Sequence, residues 1–479
     1  MNFSIIIYML GWILNIESLL MMLPVLTAVV YKEQIGFCYL AVAAVCAVLG
    51  FAGTRKKPKT MMFFAREGFV TVSLGWLVLS LFGCLPFVMS GEIPHFIDAL
   101  FEIVSGFTTT GASIVPLVEE LSYASRMWRS FSHWIGGMGI LVFILAVLPM
   151  VGDYNMHIMR AESPGPSVGK LVPKIRITAK LLYSIYFALT LTLAVLLLIG
   201  KMPVFDAICM SFGTAGTGGF ACRNSGQADY TMYQQAVITI FMLLFGVNFN
   251  VYYLLLMRRP KDAFKCEELR GYLGIVATAI LLITISARSF FPSLLQAFHH
   301  AAFQVASIIT TTGFSTVDYN EWPEFSKCII LLIMFVGACA GSTGGGMKVS
   351  RIMIAFKEVK KEMAALVHPR SVKVLKFEGK ALDHGLLRSL NAYIIVYFFI
   401  FFASVLIISL DGYDFMTTFS AVAANLNNIG PGMSVVGPAS NFSMMSYLSK
   451  SVLIFDMLAG RLELFPVLIL FAPGTWKRH

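Results

Sequence analysis

Two Thr-Thr-Thr-Gly phrases, Thr108-Thr109-Thr110-Gly111 and Thr310-Thr311-Thr312-Gly313, interrupt an otherwise apolar chain. Two related phrases are Gly216-Thr217-Gly218-Gly219 and Asn427-Asn428-Ile429-Gly430. Threonine and asparagine bring polar side chains and a backbone carbonyl each, and glycine permits dihedrals that other residues resist. A short loop of this composition can turn several carbonyl oxygens toward one axis. Four such loops around one axis form a ring that can replace the hydration shell of an alkali cation. One loop cannot supply the ring, and that accounts for the repetition. A lone Thr-Thr-Thr-Gly is equally a turn or a polar helix cap. What favours a pore is the recurrence of the phrase, each time after a short apolar stretch.

Those stretches are the elements that must position the phrases. They are FIDALFEIVSGFTTTGAS (96–113), VFDAICMSFGTAGTGGFA (204–221), LLQAFHHAAFQVASIITTTGFS (294–315) and DFMTTFSAVAANLNNIGPG (414–432). About a dozen helical residues cannot cross roughly 30 Å of hydrocarbon. They can enter and return as a re-entrant helix and loop, provided that the loop is buried in protein or lines water. Asp98, Asp206 and His300 precede Gly111, Gly219 and Gly313 by the same interval. The second copy registers on Gly218 or on Gly219. In the fourth copy Asp414 lies further from Gly430, and only its ending aligns.

The whole chain has the composition of a membrane protein. Of 479 residues 57% are hydrophobic and 13% charged, with a mean hydropathy of +0.77, against about a quarter charged in an ordinary globular domain. Apolar runs of spanning length occur near 5–30, 35–53, 68–90, 131–151, 181–200, 235–257, 271–287, 328–346, 391–410 and 447–472. The net charge of +10 is not a nucleic-acid signal. Of 36 Lys/Arg, 27 fall in 55–66, 160–180, 258–270, 348–388 and the tail at Lys477 and Arg478. These are alternate loops, so by the positive-inside rule they are cytosolic, as are both termini. The expected fold is all-α: two N-terminal helices (1–60), then four pseudo-symmetric helix–pore loop–helix repeats at 61–152, 153–262, 263–358 and 359–479. Eight scattered cysteines with no metal-ligand spacing read as free thiols. The first span has no basic flank or small-residue cleavage site and reads as retained.

The ordered set TTTGAS, GTGGFA, TTTGFS and NNIGPG resembles the Trk/Ktr/HKT potassium-transporter superfamily over essentially the whole chain. The two leading spans resemble its bacterial Trk branch. The resemblance implies a pseudo-fourfold pore within one chain, and a homodimer in the bacterial inner membrane. It implies potassium binding at a selectivity filter of Thr108, Thr109, Thr110, Gly111, Gly216, Thr217, Gly218, Gly219, Thr310, Thr311, Thr312, Gly313, Asn427, Asn428, Ile429 and Gly430. In plant relatives a serine in place of the first-repeat glycine goes with sodium selectivity; Gly111 therefore favours potassium.

The segment 337–351, GACAGSTGGGMKVSR, is too rich in glycine for a helix interior, each glycine costing about 1 kcal/mol against alanine. Close helix packing or a surface loop would also account for it; a phosphate loop would not, because the Gly-Lys-Ser/Thr ending is missing. The resemblance implies an intramembrane loop beneath the filter. Arg461, in the last apolar run, is costly in hydrocarbon unless it faces a cavity or partner. An ion pair with Asp456 or Glu463 is one reading. The family's pattern implies another, a barrier to cations formed with Gly337, Gly341, Gly344, Gly345 and Gly346.

Other polar residues carry weaker signals. His299 and His300 read as an interfacial cap, Glu102 as a local pair, and Asp98, Asp206 and Asp414 as helix starts or attractors of cations at the outer mouth. The basic stretch 347–388 suits anionic lipid, and the resemblance adds docking of a TrkA-type nucleotide-binding regulatory subunit. No cofactor motif is present in the chain. The function expected is potassium uptake through a gated pore, with the ion as transported ligand. Ion-coupled symport is the alternative, through acids such as Glu17 or Asp456. A membrane-embedded cofactor enzyme is the distant one, since His133 alone lies near a span.

Overall fold

The computed structural model describes residues 2–58, 65–139, 175–370 and 374–476. Among these the architecture is helical, with a single two-stranded ribbon, Lys376–Phe377 against Lys380–Ala381. Six helical runs are long and apolar enough to cross a membrane: Phe3–Tyr31, Gly36–Thr54, Arg66–Ser90, Ala179–Ile199, Glu267–Ser286 and His384–Asp411. The expected fourth span begins in the helix Tyr123–Gly137. Its residues 140–151 lie outside the described residues, as do 160–174, Lys477 and Arg478.

The two leading helices pack through small residues. A Cβ on Gly11 would lie 3.0 Å from the carbonyl oxygen of Gly50, so the backbones of Phe3–Leu20 and Gly36–Thr54 nearly touch. Polar N-caps mark where the later helices turn inward. Ser122, Ser293, Asp414 and Ser446 each accept from the backbone N–H three residues on, and Thr231 with Gln234 forms a reciprocal box.

Four short helices dip into this frame: Phe96–Phe107, Val204–Gly216, Leu294–Ile309 and Phe415–Leu426. Their 12 to 16 residues are too few to cross. Their flanks are buried against one another in three contiguous apolar clusters. One joins the leading helices to the first and fourth dipping helices, one the second and third dipping helices to Tyr123–Gly137, and one the third dipping helix to the loop that follows the fourth.

Three expected spans are interrupted. The run 235–257 is two helices, Met232–Phe245 and Phe249–Leu256, bent by 91°. The run 328–346 is helical only to Val336; a non-helical segment follows, and helix begins again at Val349. The run 447–472 stops being one helix at Arg461, because Glu463 and Leu464 take left-handed dihedrals. Hydropathy does not register these breaks, since the freed backbone groups find partners in neighbouring segments. Cys339 N–H donates to the Gly246 carbonyl at 3.0 Å and Phe249 N–H to the Gly341 carbonyl at 3.1 Å. The glycine segment thus fills the notch left by the bent helix.

Candidate ion-binding site

Each dipping helix ends in the same backbone turn. The second residue of every phrase, Thr109, Thr217, Thr311 and Asn428, is left-handed, with φ between 53° and 59°. The third residue donates its N–H five positions back: Thr110 to Ser105, Gly218 to Gly213, Thr312 to Ser307 and Ile429 to Ala424, at 2.7–2.9 Å. These bonds satisfy the last carbonyls of each helix. The fourth residue is Gly111, Gly219, Gly313 or Gly430, at φ 81°, 86°, 83° and 97°. The shared turn puts the register of the second copy on Gly219.

The four loops close on one another. A Cβ on Gly111 would stand 2.2 Å from the Gly218 carbonyl oxygen, one on Gly219 2.0 Å from that of Thr312, and one on Gly313 2.0 Å from that of Ile429. A Cβ on Gly430 would stand 2.6 Å from the carbonyl oxygen of Thr110. The loops therefore neighbour each other cyclically in sequence order. Left-handed dihedrals and close backbone approach leave only glycine at these positions. The helices' C-terminal ends, which carry partial negative charge, converge on the same ring.

Side chains lock the loops. Thr108 and Thr310 donate to the carbonyls four residues back and contact Thr110 and Thr312 at 2.8 Å. Asn427 does the same through its amide at 2.8 Å and is held by the Tyr397 hydroxyl at 3.0 Å. Asn428 reaches across to Thr110 at 3.0 Å. All four glycines and the residues after them line one open cavity of about 210 Å³. The first residues of the phrases therefore face away from that cavity.

On that opposite side lies the glycine segment. Gly345 N–H donates to the Thr311 hydroxyl at 2.6 Å, and added Cβ atoms on Gly344 and Gly345 would meet the carbonyls of Thr310 and Asn427 at 2.8 and 2.5 Å. Gly337, Gly341 and Gly346 are left-handed. Arg461 ends its helix, where the dipole favours a cation. Its guanidinium donates to the Thr343 carbonyl at 2.8 Å and to the carbonyls of Gly136 and Gly137. Glu463 instead pairs with Arg351 at 2.5 Å, and Asp456 accepts from Ser404 at 2.8 Å.

The remaining candidates separate. Glu102 is paired not with a neighbour in sequence but with Arg129 of the next long helix, at 2.7 Å. Asp98 and Asp206 are paired with Lys450 and Arg223, at 2.7 and 2.9 Å, so their charge is offset rather than offered to passing cations. Asp414 caps its helix at 3.2 Å. His299 bonds Gln235 and His300 bonds Thr316. Among the described residues no cluster of three or more metal-ligating side chains occurs.

His133 carried little weight in the sequence, and Asn248 and Glu268 carried none. His133 is buried behind the ring, between the Gly106 carbonyl and the N–H of Phe220. Glu268 accepts from Ala340 N–H at 2.7 Å and Ser350 N–H at 3.2 Å, at either end of the glycine segment. The usable signal for His133 was its place, with Arg129, in a polar helix that follows the first Thr-Thr-Thr-Gly phrase.

Comparison with known proteins identifies the family. The family model for TrkH, a cation transport protein, matches residues 35–289 and 290–477. The Trk system potassium uptake protein TrkH of Salmonella typhimurium is 38% identical, with all of both chains covered. The Trk system potassium uptake protein TrkG of Escherichia coli is 33% identical over 99% of this chain and 98% of its own. The crystal structure of the potassium transporter TrkH from Vibrio parahaemolyticus matches with a TM-score of 0.89 and 34% identity, over all of both chains. The chain therefore belongs to the TrkH family of cation transport proteins and is a membrane transporter, not an enzyme.

Proposed function

We propose that this chain is the membrane subunit of a Trk-type potassium uptake system, and that potassium crosses at the centre of the four loops. The observation that carries the reading is the cyclic contact of Gly111, Gly219, Gly313 and Gly430 with the preceding carbonyl of the next phrase. Backbone oxygens so gathered match what a dehydrated monovalent cation needs. The membrane potential supplies about 2.3 kcal/mol per charge per 100 mV, so no chemical step is required.

The reading extends to a gate, to assembly and to topology. The segment 337–346 obstructs the inner side of the ring, and Arg461 holds it there through Thr343. The chain acts as a homodimer in the bacterial inner membrane with both termini in the cytosol. A TrkA-type regulatory subunit docks on the basic surface of 347–388. Rubidium flux into vesicles, with sodium or lithium competing and with and without the cytosolic subunit, tests the proposal. Rubidium-selective flux that collapses in filter variants is expected. Flux indifferent to Gly219 and Gly313 substitutions would overturn it. Reversal potentials that follow the potassium gradient alone separate a channel from a symporter.

A further inference from the structure

Two arginines, Arg129 and Arg223, line the outer cavity, and among the described residues no acid does. That is an unexpected lining for the mouth of a cation pathway. Each guanidinium is met from behind by an acid of a pore helix, Arg129 by Glu102 and Arg223 by Asp206. The two pairs differ in burial. Arg223 is substantially exposed, whereas Arg129 and Glu102 are 2% and 0% exposed.

The buried pair also joins two filter loops. Glu102 accepts from the Ser113 hydroxyl at 3.0 Å and from Ile114 N–H at 2.9 Å, both just past Gly111. Arg129 donates to the same hydroxyl at 3.1 Å, and its guanidinium lies 4.1 Å from the ring centre of Phe220, the residue after Gly219. His133, one turn along from Arg129, accepts from Phe220 N–H through Nε2 at 3.1 Å, leaving Nδ1–H for the Gly106 carbonyl at 2.8 Å. The positions matching Glu102 in the other phrases are Met210, Gln304 and Ala421. The charged brace therefore spans one of the four loop junctions.

Resting on the pore reading above, we infer that Glu102 is a specificity-positioning residue: it cancels the charge that Arg129 would present to the outer mouth and, with Arg129 and His133, holds the first and second filter loops at one spacing. The other junctions are crossed by uncharged groups: Gln227 N–H donates to the Ser315 carbonyl at 2.9 Å, the Tyr319 hydroxyl to the Gly432 carbonyl at 2.7 Å, and the Asn428 amide to the Thr110 hydroxyl at 3.0 Å. The ring is thus fourfold in backbone and not in bracing.

The test measures rubidium uptake into proteoliposomes for Glu102→Gln and for Glu102→Gln with Arg129→Gln, reading half-saturating concentration and rubidium-over-sodium preference. Glu102→Gln raises half-saturation about tenfold, the effect of one uncompensated charge roughly 10 Å away at an effective dielectric of about 20. The double variant returns half-saturation to near wild type but keeps a lowered rubidium preference. A single variant with unchanged half-saturation, or a double variant with wild-type preference, overturns the inference. Where Glu102→Gln does not fold, the double variant, which has no unpaired charge, decides by its preference alone. Gly111→Ser in parallel distinguishes the two readings: if it too leaves ion preference unchanged, the pore reading fails and not merely the brace.

Discussion

The Arg461 guanidinium donates to the Thr343 carbonyl at 2.8 Å, tying the end of the helix Tyr447–Arg461 to the middle of the glycine segment. The same side chain reaches the carbonyls of Gly136 and Gly137, at the end of the corresponding helix of the first repeat. One residue thus cross-links two helix ends through the glycine segment. Replacing it with alanine removes the positive charge beneath the ring and the three hydrogen bonds that hold the segment. Arg461→Ala should raise rubidium flux several-fold at fixed driving force, measured in proteoliposomes at matched protein content. Unchanged or lower flux in well-folded protein would count against a gate here.

Gly219→Ala and Gly313→Ala each push a methyl to 2.0 Å from a neighbouring carbonyl oxygen, on a left-handed backbone. Neither backbone nor methyl can yield, so the ring must open. Rubidium flux should fall by more than about tenfold, since a misplaced ring loses coordination that dehydration requires. Gly111→Ser should shift preference toward sodium, read as the ratio of initial rubidium and sodium uptake rates.

Glu268 holds both feet of the glycine segment, and its other oxygen accepts from Asn248 at the helix bend at 3.4 Å. Glu268→Ala leaves two backbone N–H groups unmatched, at about 1–3 kcal/mol each. Basal flux should rise while ion preference stays at the wild-type value. Glu268→Gln, which keeps an acceptor oxygen, should lie between the two. A change of preference in either variant would place Glu268 with the filter and not with the gate.

Gly460 packs against the backbone: an added Cβ would stand 2.0 Å from the Leu426 carbonyl oxygen. Gly274, in the helix Glu267–Ser286, has nothing within 4 Å of the same construction. Gly460→Ala should lower the thermal midpoint in detergent, an overpacking cost of about 1–3 kcal/mol. Gly274→Ala should leave it level or raise it slightly, as expected where only helix propensity changes. Equal midpoints for the two variants would contradict the packing.

Topology is checked by reporter fusions after the C-terminus and within 368–383. Both should report the cytosolic side, as the distribution of Lys and Arg requires. A periplasmic signal from either would invert the assignment of the outer cavity.

Local chemistry made a large part of the site legible. Thr-Thr-Thr-Gly ends a helix in one way because a left-handed residue followed by glycine is the cheapest way to turn the chain there, and the phrase and the turn lie within a few residues of each other. The glycine content of 337–346 likewise forbade a helix on propensity alone. The interruptions were harder. Hydropathy reads 235–257 and 447–472 as continuous, because it sums side-chain transfer and says nothing of where a backbone N–H finds its acceptor.

By itself, then, the sequence determined the all-helical membrane class, the four glycine-ended turns and the segment that cannot be a helix, since composition and short-range backbone preference decide each of these. Tertiary structure alone decided that the loops neighbour each other in a closed cycle, that Glu102 answers Arg129, that Glu268 pins the glycine segment and that Arg461 bridges two repeats. Those contacts join residues up to hundreds of positions apart. A buried polar group must find some partner, but its own neighbours in the chain do not say which.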